Sequence, residues 1–445
     1  MPDLALFLMQ ESLSAFDESN NSTRPRILLL DTNRWAVVPR LAIGFGQMGC
    51  EVGVLCPSPG HPAQKTKSVR RIFRYNGLHP SDSLRSAIES FDPEFVIPAC
   101  DRSVQLLHEL HAKAVTKEDG NTGIARLIER SLGSPESFAV ASSRFPLIEV
   151  ARSEGIPVPE TRSIEDLDGL KRWSNDCAPP WVIKADGTWG GRGVRIARTE
   201  PEAERFFAEL TERASNAELI KRMILNRDRD WVLSDWKRSR PGVVAQSFIK
   251  GRPANCAVAC WQGEVLAGIA VEVMAASGAQ GPANIVEVVP GSEMLSAAEK
   301  IAGRLGITGF FGLDFMIESG TGTPYLIEMN PRCTPPCSLS LGNGRDLVAA
   351  IASRLTLRPE PLRQAVTKKT RIAYFPQSVL SQSDSSHRTQ TDSVYLDIPQ
   401  GEPELTHGLL HPWCERSLSG RFVDSLRARF SAKQPPPTYI FEDAK

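Results

Sequence analysis

A parallel α/β unit followed by a larger α+β unit is the fold class this sequence predicts, and three observations carry the prediction. At 445 residues the chain is too long for one ordinary core, so two to three domains are expected. Between residues 26 and 56, RILLLD and EVGVLC flank a segment of helical period, VVPRLAIGFGQMGC, which is the β-α-β succession of an open parallel sheet. From Pro135 onward helices and glycine-rich strand runs are mixed rather than alternating, which marks an α+β arrangement.

Taken in order, residues 1–24 end in a polar stretch, DESNNSTRP, and read as a flexible leader. Residues 25–135 form the α/β unit, with a further strand in FVIPAC and a helix in VQLLHELHAK. Its first strand-to-helix turn, LDTNRWAVVP, lacks the spaced glycines that let a backbone approach a pyrophosphate, so a dinucleotide site is not expected there. Residues 136–357 form the α+β unit, opening with one helix through SFAVASSRFPLIEVARSEG and a turn at IPVPET. Residues 358–445 are a C-terminal extension containing RIAYFP, a polar loop in SQSDSSHRTQTDS, and the end QPPPTYIFEDAK.

Composition narrows the function classes. Lys+Arg and Asp+Glu both number 52, so no global field attracts a nucleic acid or an anionic membrane, and no segment has the length of a membrane span. The amino-terminal MPDLALFLMQESL has no basic region before its apolar run and no small-residue cleavage site after it, so no secretory signal is expected. Nine dispersed cysteines read as reduced thiols of a cytoplasmic protein. Cys256 with Cys260 and Cys333 with Cys337 share a four-residue offset, but the first pair lies in an apolar run, ANCAVACW, and buried thiols are a better account than zinc. His407, His411 and Cys414 in HGLLHPWC read as loop packing.

The sharpest signal is GFFGLDFMIESGTGTPYLIEMNPR, two alternating runs joined by Ser-Gly-Thr-Gly-Thr, a β-hairpin by composition and spacing. With residues 319–323 as the loop, Glu318 opposes Pro324, and counting inward sets Asp314 across from Glu328 and Gly312 across from Asn330. Phe311, Leu313, Phe315 and Ile317 then share an apolar face with Tyr325, Ile327 and Met329. Two opposed carboxylates stand about 5 Å apart at their Cβ atoms and repel, a sign that a cation reverses. Mg²⁺, or Mn²⁺ in its place, suits Asp314 and Glu328 with an amide oxygen from Asn330, and Arg332 brings positive charge where a phosphate would lie.

Upstream, WVIKADGTWGGRGVRIA reads as strand, glycine-rich loop and strand. It is no Walker loop, because Lys184 precedes the glycines and an extended run follows them. Gly187, Gly190, Gly191 and Gly193 would let backbone amides fold over an anion, with Lys184 as a point charge. In the next strand, VAQSFI, the backbone of Phe248 and Ile249 is placed to meet a purine edge.

Together these segments resemble the ATP-grasp superfamily over roughly residues 136–357, with residues 25–135 similar to the domain that precedes it in that family. The resemblance implies that Lys184 and the glycine loop contact ATP phosphates, that Asp314, Glu328 and Asn330 hold magnesium, and that Arg332 meets phosphate or the activated intermediate. The NPR ending resembles the branch with biotin carboxylase and carbamoyl phosphate synthetase. Three positions depart from the family pattern. Arg144 stands where an early ATP lysine is usual, Gln246 where an acid begins the adenine strand, and Pro253 where a ribose-binding glutamate is common. ATP is the working nucleotide, with GTP open.

The expected activity is ATP-dependent ligation of a small-molecule carboxylate to an amine through an acyl phosphate, by a homodimer, with the loop at 187–193 closing over the intermediate. Glu272 could contact the nucleophile, though a paired acid is the better account, and Cys333 and Thr334 could line the acceptor pocket, though packing is the better account of them. Two other readings are carried. One is a carboxylating or carbamoyl-forming enzyme using bicarbonate. The other, motivated by Arg144, Gln246 and Pro253, is a nucleotide sensor without turnover.

Overall fold

A computed structural model describes residues 24–57, 60–116, 122–186, 193–212, 242–278, 281–356, 365–380, 393–411 and 438–440. The first strand, β1 (Arg26–Leu30), is buried along four of its five residues. A strand covered on both faces needs such a continuous apolar run, and β1 is an inner strand of an all-parallel sheet ordered β3-β2-β1-β4. Its neighbours are β2 (Glu51–Cys56), β3 (Val69–Arg74) and β4 (Phe95–Pro98). The connecting helices are α1 (Val37–Gln47) and α2 (Pro80–Phe91), followed by α3 (Asp101–Val115) and α4 (Thr122–Leu132).

The single helix expected over residues 137–155 is two helices, α5 (Phe138–Ala141) and α6 (Arg144–Ser153), broken at Ser142 and Ser143. Pro146 explains the break: a proline lacks the N–H that an interior turn needs but is tolerated in a first turn, so the helix restarts just before it. The restart sets Arg144 at the beginning of α6, which matters for the site.

A small antiparallel sheet follows, ordered β5-β8-β6-β7, from β5 (Thr161–Ile164), β6 (Trp181–Ala185), β7 (Val194–Ala197) and β8 (Val243–Ser247). Helices α7 (Leu167–Asp176) and α8 (Glu200–Thr211) cover it, with Trp173, Trp181 and Ile183 in the core between. The second sheet is larger. It runs β13-β12-β9-β10-β11-β14-β15, with β16 (Thr438–Ile440) on β10, and contains β9 (Gly251–Trp261), β10 (Glu264–Ser277), β11 (Ala283–Val289), β12 (Gly309–Glu318) and β13 (Pro324–Asn330).

The two faces of the large sheet have different partners. Helices α6 and α9 (Ser292–Leu305) pack on one, over Cys256, Phe311, Leu313 and Phe315. On the other, Ala257, Ala259 and Phe310 share a core with α10 (Leu347–Thr356) and with Val38, Leu41 and Phe45 of α1. The parallel sheet and the large sheet therefore close over common apolar side chains. A tight backbone crossing joins them too: Gly133 has φ +98°, and a Cβ there would lie 2.1 Å from the Gly306 carbonyl oxygen.

The C-terminal extension supplies strands to this sheet. β14 (Arg371–Tyr374) pairs with β11, and β15 (Val394–Asp397) pairs parallel with β14. Among the described residues no helix is long and apolar enough to cross a membrane.

Candidate active site

The hairpin of β12 and β13 carries the site. Asp314 is paired with Glu328, and Gly312 with Asn330, as the residue count requires. The route to that pairing differs. At the loop end Ile317, not Glu318, opposes Pro324, and a bulge between Asp314 and Phe315 restores the register by one residue. The apolar face is corrected accordingly: Pro324, Leu326 and Met329 are buried there with Phe311, Leu313, Phe315 and Ile317, while Tyr325 and Ile327 are only half-buried. An extra residue on one strand turns the side chains beyond it to the opposite faces.

On the other side of β12, β9 sets Asn255 directly opposite Asp314. Asn255, Asp314 and Glu328 thus form one row across three adjacent strands. Asp314 is held at both oxygens: Asn255 Nδ2 donates to Oδ1 at 2.6 Å and Asn330 Nδ2 to Oδ2 at 2.9 Å. Burial, then the charge of Glu328, pushes its carboxyl up to about 6, against the two amide hydrogen bonds and Arg332. The Asn330 amide departs from the expected arrangement, because its oxygen accepts from Arg332 Nη2 at 3.0 Å.

Lys184 lies on β6 opposite Val194 of β7 and is 5% exposed. Its Nζ donates to the Ile327 carbonyl oxygen, 3.2 Å away, so the bulge also fixes the lysine. Burial pushes its ammonium down to about 8; Glu328 opposes that shift and Arg144 adds to it. Of the loop glycines, Gly187, Gly190 and Gly191 lie outside the described residues, whereas the Gly193 carbonyl accepts from Ala185 N at 2.9 Å.

Arg144 spans the gap between the two sheets. Its guanidinium meets Glu328 Oε1 at 2.8 Å, Asp186 Oδ1 at 3.5 Å and the Ala185 carbonyl. Its backbone N–H also donates to Asp186 Oδ1, and burial, eased by Arg144, raises the Asp186 carboxyl. Arg332 is gripped from the N-terminal unit. Nε lies 3.1 Å from Asp101 Oδ2, at the start of α3, and the guanidinium stands 5.7 Å from the centre of the Trp35 ring. A cleft of about 60 Å³ runs beside these groups, between Asp101, Gln105, Ser142, Arg144 and Glu328.

The residues expected to meet a purine make contacts of their own. Gln246 is buried, and its Nε2 donates to Thr161 Oγ1 at 3.0 Å across to β5. Phe248 is 38% exposed just past β8, with its N–H already donated to the Pro180 carbonyl at 3.2 Å, and Ile249 follows half-buried. Pro253 opposes Met316 on β12. Glu272 is a paired acid, its Oε2 2.9 Å from Arg252 Nε. Cys333 and Thr334 are buried, and burial raises the thiols of Cys256 to about 12 and Cys337 to about 11. The His407 and His411 rings lie 4.7 Å apart at a tilt of 48°, and Cys414 lies outside the described residues.

Asn255, Asp186, Asp101 and Trp35 are the contributors that reading along the chain missed. Asp186 had a local signal, since two residues beyond Lys184 it falls on the same side of a strand. The others had none, because each reaches the site through a long-range pairing.

The site fits a hard divalent cation. Two carboxylates face each other on one row, Asp314 keeps unused lone pairs beyond its two amide bonds, and Asn255 Oδ1 is shielded from solvent with no hydrogen-bond partner among the described residues.

Comparison with known proteins agrees with this architecture. Residues 141–336 match the family described as an ATP-grasp domain. The chain is 27% identical over 258 residues to the carbamoyl phosphate synthase large chain of Thermomicrobium roseum, covering 56% of this chain and 22% of that one. It is 24% identical over 339 residues to the N-terminal section of that large chain from Methanopyrus kandleri, covering 74% of this chain and 55% of the relative. The chain therefore spans only part of the relatives it matches. Among solved structures, biotin carboxylase of Campylobacter jejuni superposes with a TM-score of 0.54 at 16% identity, covering 76% of this chain and 73% of that one. N5-carboxyaminoimidazole synthetase of Staphylococcus aureus gives 0.51 at 14%, covering 76% and 80%. The two-sheet cleft and the acid-bearing hairpin are accordingly those of an ATP-grasp domain, matched over residues 141–336 and preceded by a parallel α/β unit.

Proposed function

We propose that the protein uses Mg-ATP to convert a small-molecule carboxylate into an acyl phosphate, which an amine then captures with release of phosphate. The observation that carries this reading is the opposed pair Asp314 and Glu328, close enough to Lys184 and Arg332 for their charges to act on one another. Asp314 and Glu328, with an amide from Asn330, would hold the metal. Magnesium, when bound, offsets the charge of the β- and γ-phosphate oxygens.

The protein's own side chains do the rest by position. Lys184, fixed by the Ile327 carbonyl, supplies a cation to the phosphate oxygens. Arg332, clamped by Asp101 and Trp35, steadies the substrate carboxylate. A carboxylate oxygen forms a bond to the γ-phosphorus as the bond to the β-phosphate oxygen breaks, giving ADP. The amine nitrogen then bonds to the acyl carbon, loses a proton, and inorganic phosphate departs. The cleft beside Glu328 and Asp101 is small and lined by both polar and apolar side chains, which suits a small amine.

Relation to carbamoyl phosphate synthase large chains favours a second reading, in which bicarbonate is the carboxylate. Purified protein incubated with Mg-ATP and pools of carboxylates and amines separates the two. ADP release that needs both an organic carboxylate and an amine supports ligation, and release driven by bicarbonate supports the second reading. Tight ATP binding without turnover under every condition points to a sensor instead. Glu328→Gln is expected to lower ADP formation by at least about 100-fold with an unchanged circular dichroism spectrum; near-normal turnover would overturn the metal assignment.

A further inference from the structure

We infer that Asn255, on the third strand of the row, is a positioning residue of the metal site, orienting Asp314 through Nδ2 and accepting a hydrogen bond from a magnesium-bound water at Oδ1. This rests on the metal reading proposed above and adds a residue to it.

Three observations converge. Asn255 stands opposite Asp314 in the β9–β12 ladder, as Glu328 does on the far side of β12, so the three side chains project from one line of the sheet. Its amide orientation is fixed by chemistry, since Nδ2 donates to Asp314 Oδ1 at 2.6 Å and a carboxylate can only accept there. The oxygen is thereby turned away from Asp314. It is shielded from solvent and has no hydrogen-bond partner among the described residues.

A buried carbonyl oxygen without a donor costs on the order of 1–3 kcal/mol, so a donor that arrives with the ligand is its natural complement. Asn330 differs, since its Oδ1 already accepts from Arg332 and its nitrogen serves Asp314, so of the two amides it is Asn255 whose oxygen has no hydrogen-bond partner among the described residues. Mg²⁺ keeps several waters when phosphates and one or two carboxylates bind it, and those waters are strong donors. Gly312 lets Thr334 pack closely beside the Asn255 amide. A Cβ there would lie 2.8 Å from Thr334 Cγ2 and 3.5 Å from Asn255 Nδ2, so any side chain would press the Thr334 turn and the amide apart.

The test uses Mn²⁺ as the probe, its binding to the full chain with ADP followed by electron paramagnetic resonance. Asn255→Leu is expected to weaken Mn²⁺ binding by about 10- to 100-fold, the range for groups that hold metal ligands in place. Asn255→Gln, which retains both the amide donor and the acceptor oxygen, is expected to recover part of that loss. Equal weakening in both variants, or parent-like affinity in Asn255→Leu while Asp314→Asn abolishes binding, overturns the role of Asn255 alone. Parent-like affinity in Asp314→Asn as well overturns the metal site and this inference together.

Discussion

Asp314 shows how one residue's surroundings tie its charge to its task. In the unfolded chain it titrates near 3.8, but burial and the facing Glu328 push it up to about 6 in the fold. The folded state therefore holds its proton more tightly. The stability gained is complete below the unfolded value and is lost as pH rises through about 6. A cation reverses the preference, because it needs the ionised carboxylate, so proton and metal compete. Mn²⁺ affinity measured by calorimetry is expected to be flat above about pH 7 and to fall about tenfold per pH unit below about 6. A flat profile down to pH 5 would count against Asp314 as a ligand. Arg144 has a related part: its bond to Glu328 offsets like-charge repulsion between the acids and ties the hairpin to Asp186 on the small sheet.

At the scale of the element, the bulge in the hairpin is what makes two strands a site. The ladder pairs Ile317 with Pro324, Met316 with Tyr325 and Phe315 with Leu326; continued without interruption, it would set Ile327 across from Asp314 and turn Glu328 to the apolar face. One extra residue returns Glu328 to the face of Asp314 and offers the Ile327 carbonyl to Lys184. Deleting Ile327 leaves Phe315 opposite Leu326 and Asp314 opposite Glu328 in an uninterrupted ladder, so Mn²⁺ binding is expected to persist, while ADP formation falls at least about tenfold because the carbonyl that fixes Lys184 is lost. Unchanged ADP formation in that deletion would show that the bulge carbonyl is not what positions Lys184. The count along the sequence reached the right pair of acids because an error at the loop end and an unseen bulge cancelled.

Across the whole molecule, the site belongs to no single unit. Trp35 and Asp101 come from the parallel-sheet unit, Lys184 and Asp186 from the end of β6, and Asn255, Asp314 and Glu328 from the large sheet. The C-terminal strands brace this assembly. Arg40 of α1 meets Asp397 of β15 at 2.8 Å, with both side chains largely buried, and donates to the Phe375 carbonyl at 3.0 Å. Burial raises the Asp397 carboxyl to about 6, eased by Arg40, so removing the arginine strands a buried acid. Arg40→Ala is expected to cost about 3–5 kcal/mol in guanidinium unfolding while leaving turnover per folded molecule unchanged. A small stability loss with a large loss of turnover would instead tie this brace to the chemistry.

The sequence by itself determined the β-α-β start, the lysine strand before its glycines, and the hairpin with its two acids, because each is written in local period and turn chemistry. It could not show that β9 lies beside β12, that α3 brings Asp101 to Arg332, or that residues 371–397 add two strands to the large sheet. Those are pairings between distant segments, chosen by which apolar faces and backbone edges close together, and no neighbour in the chain encodes them. Tertiary packing likewise decided the titration of Asp314 and Lys184, because burial and charged neighbours exist only once the sheets have closed.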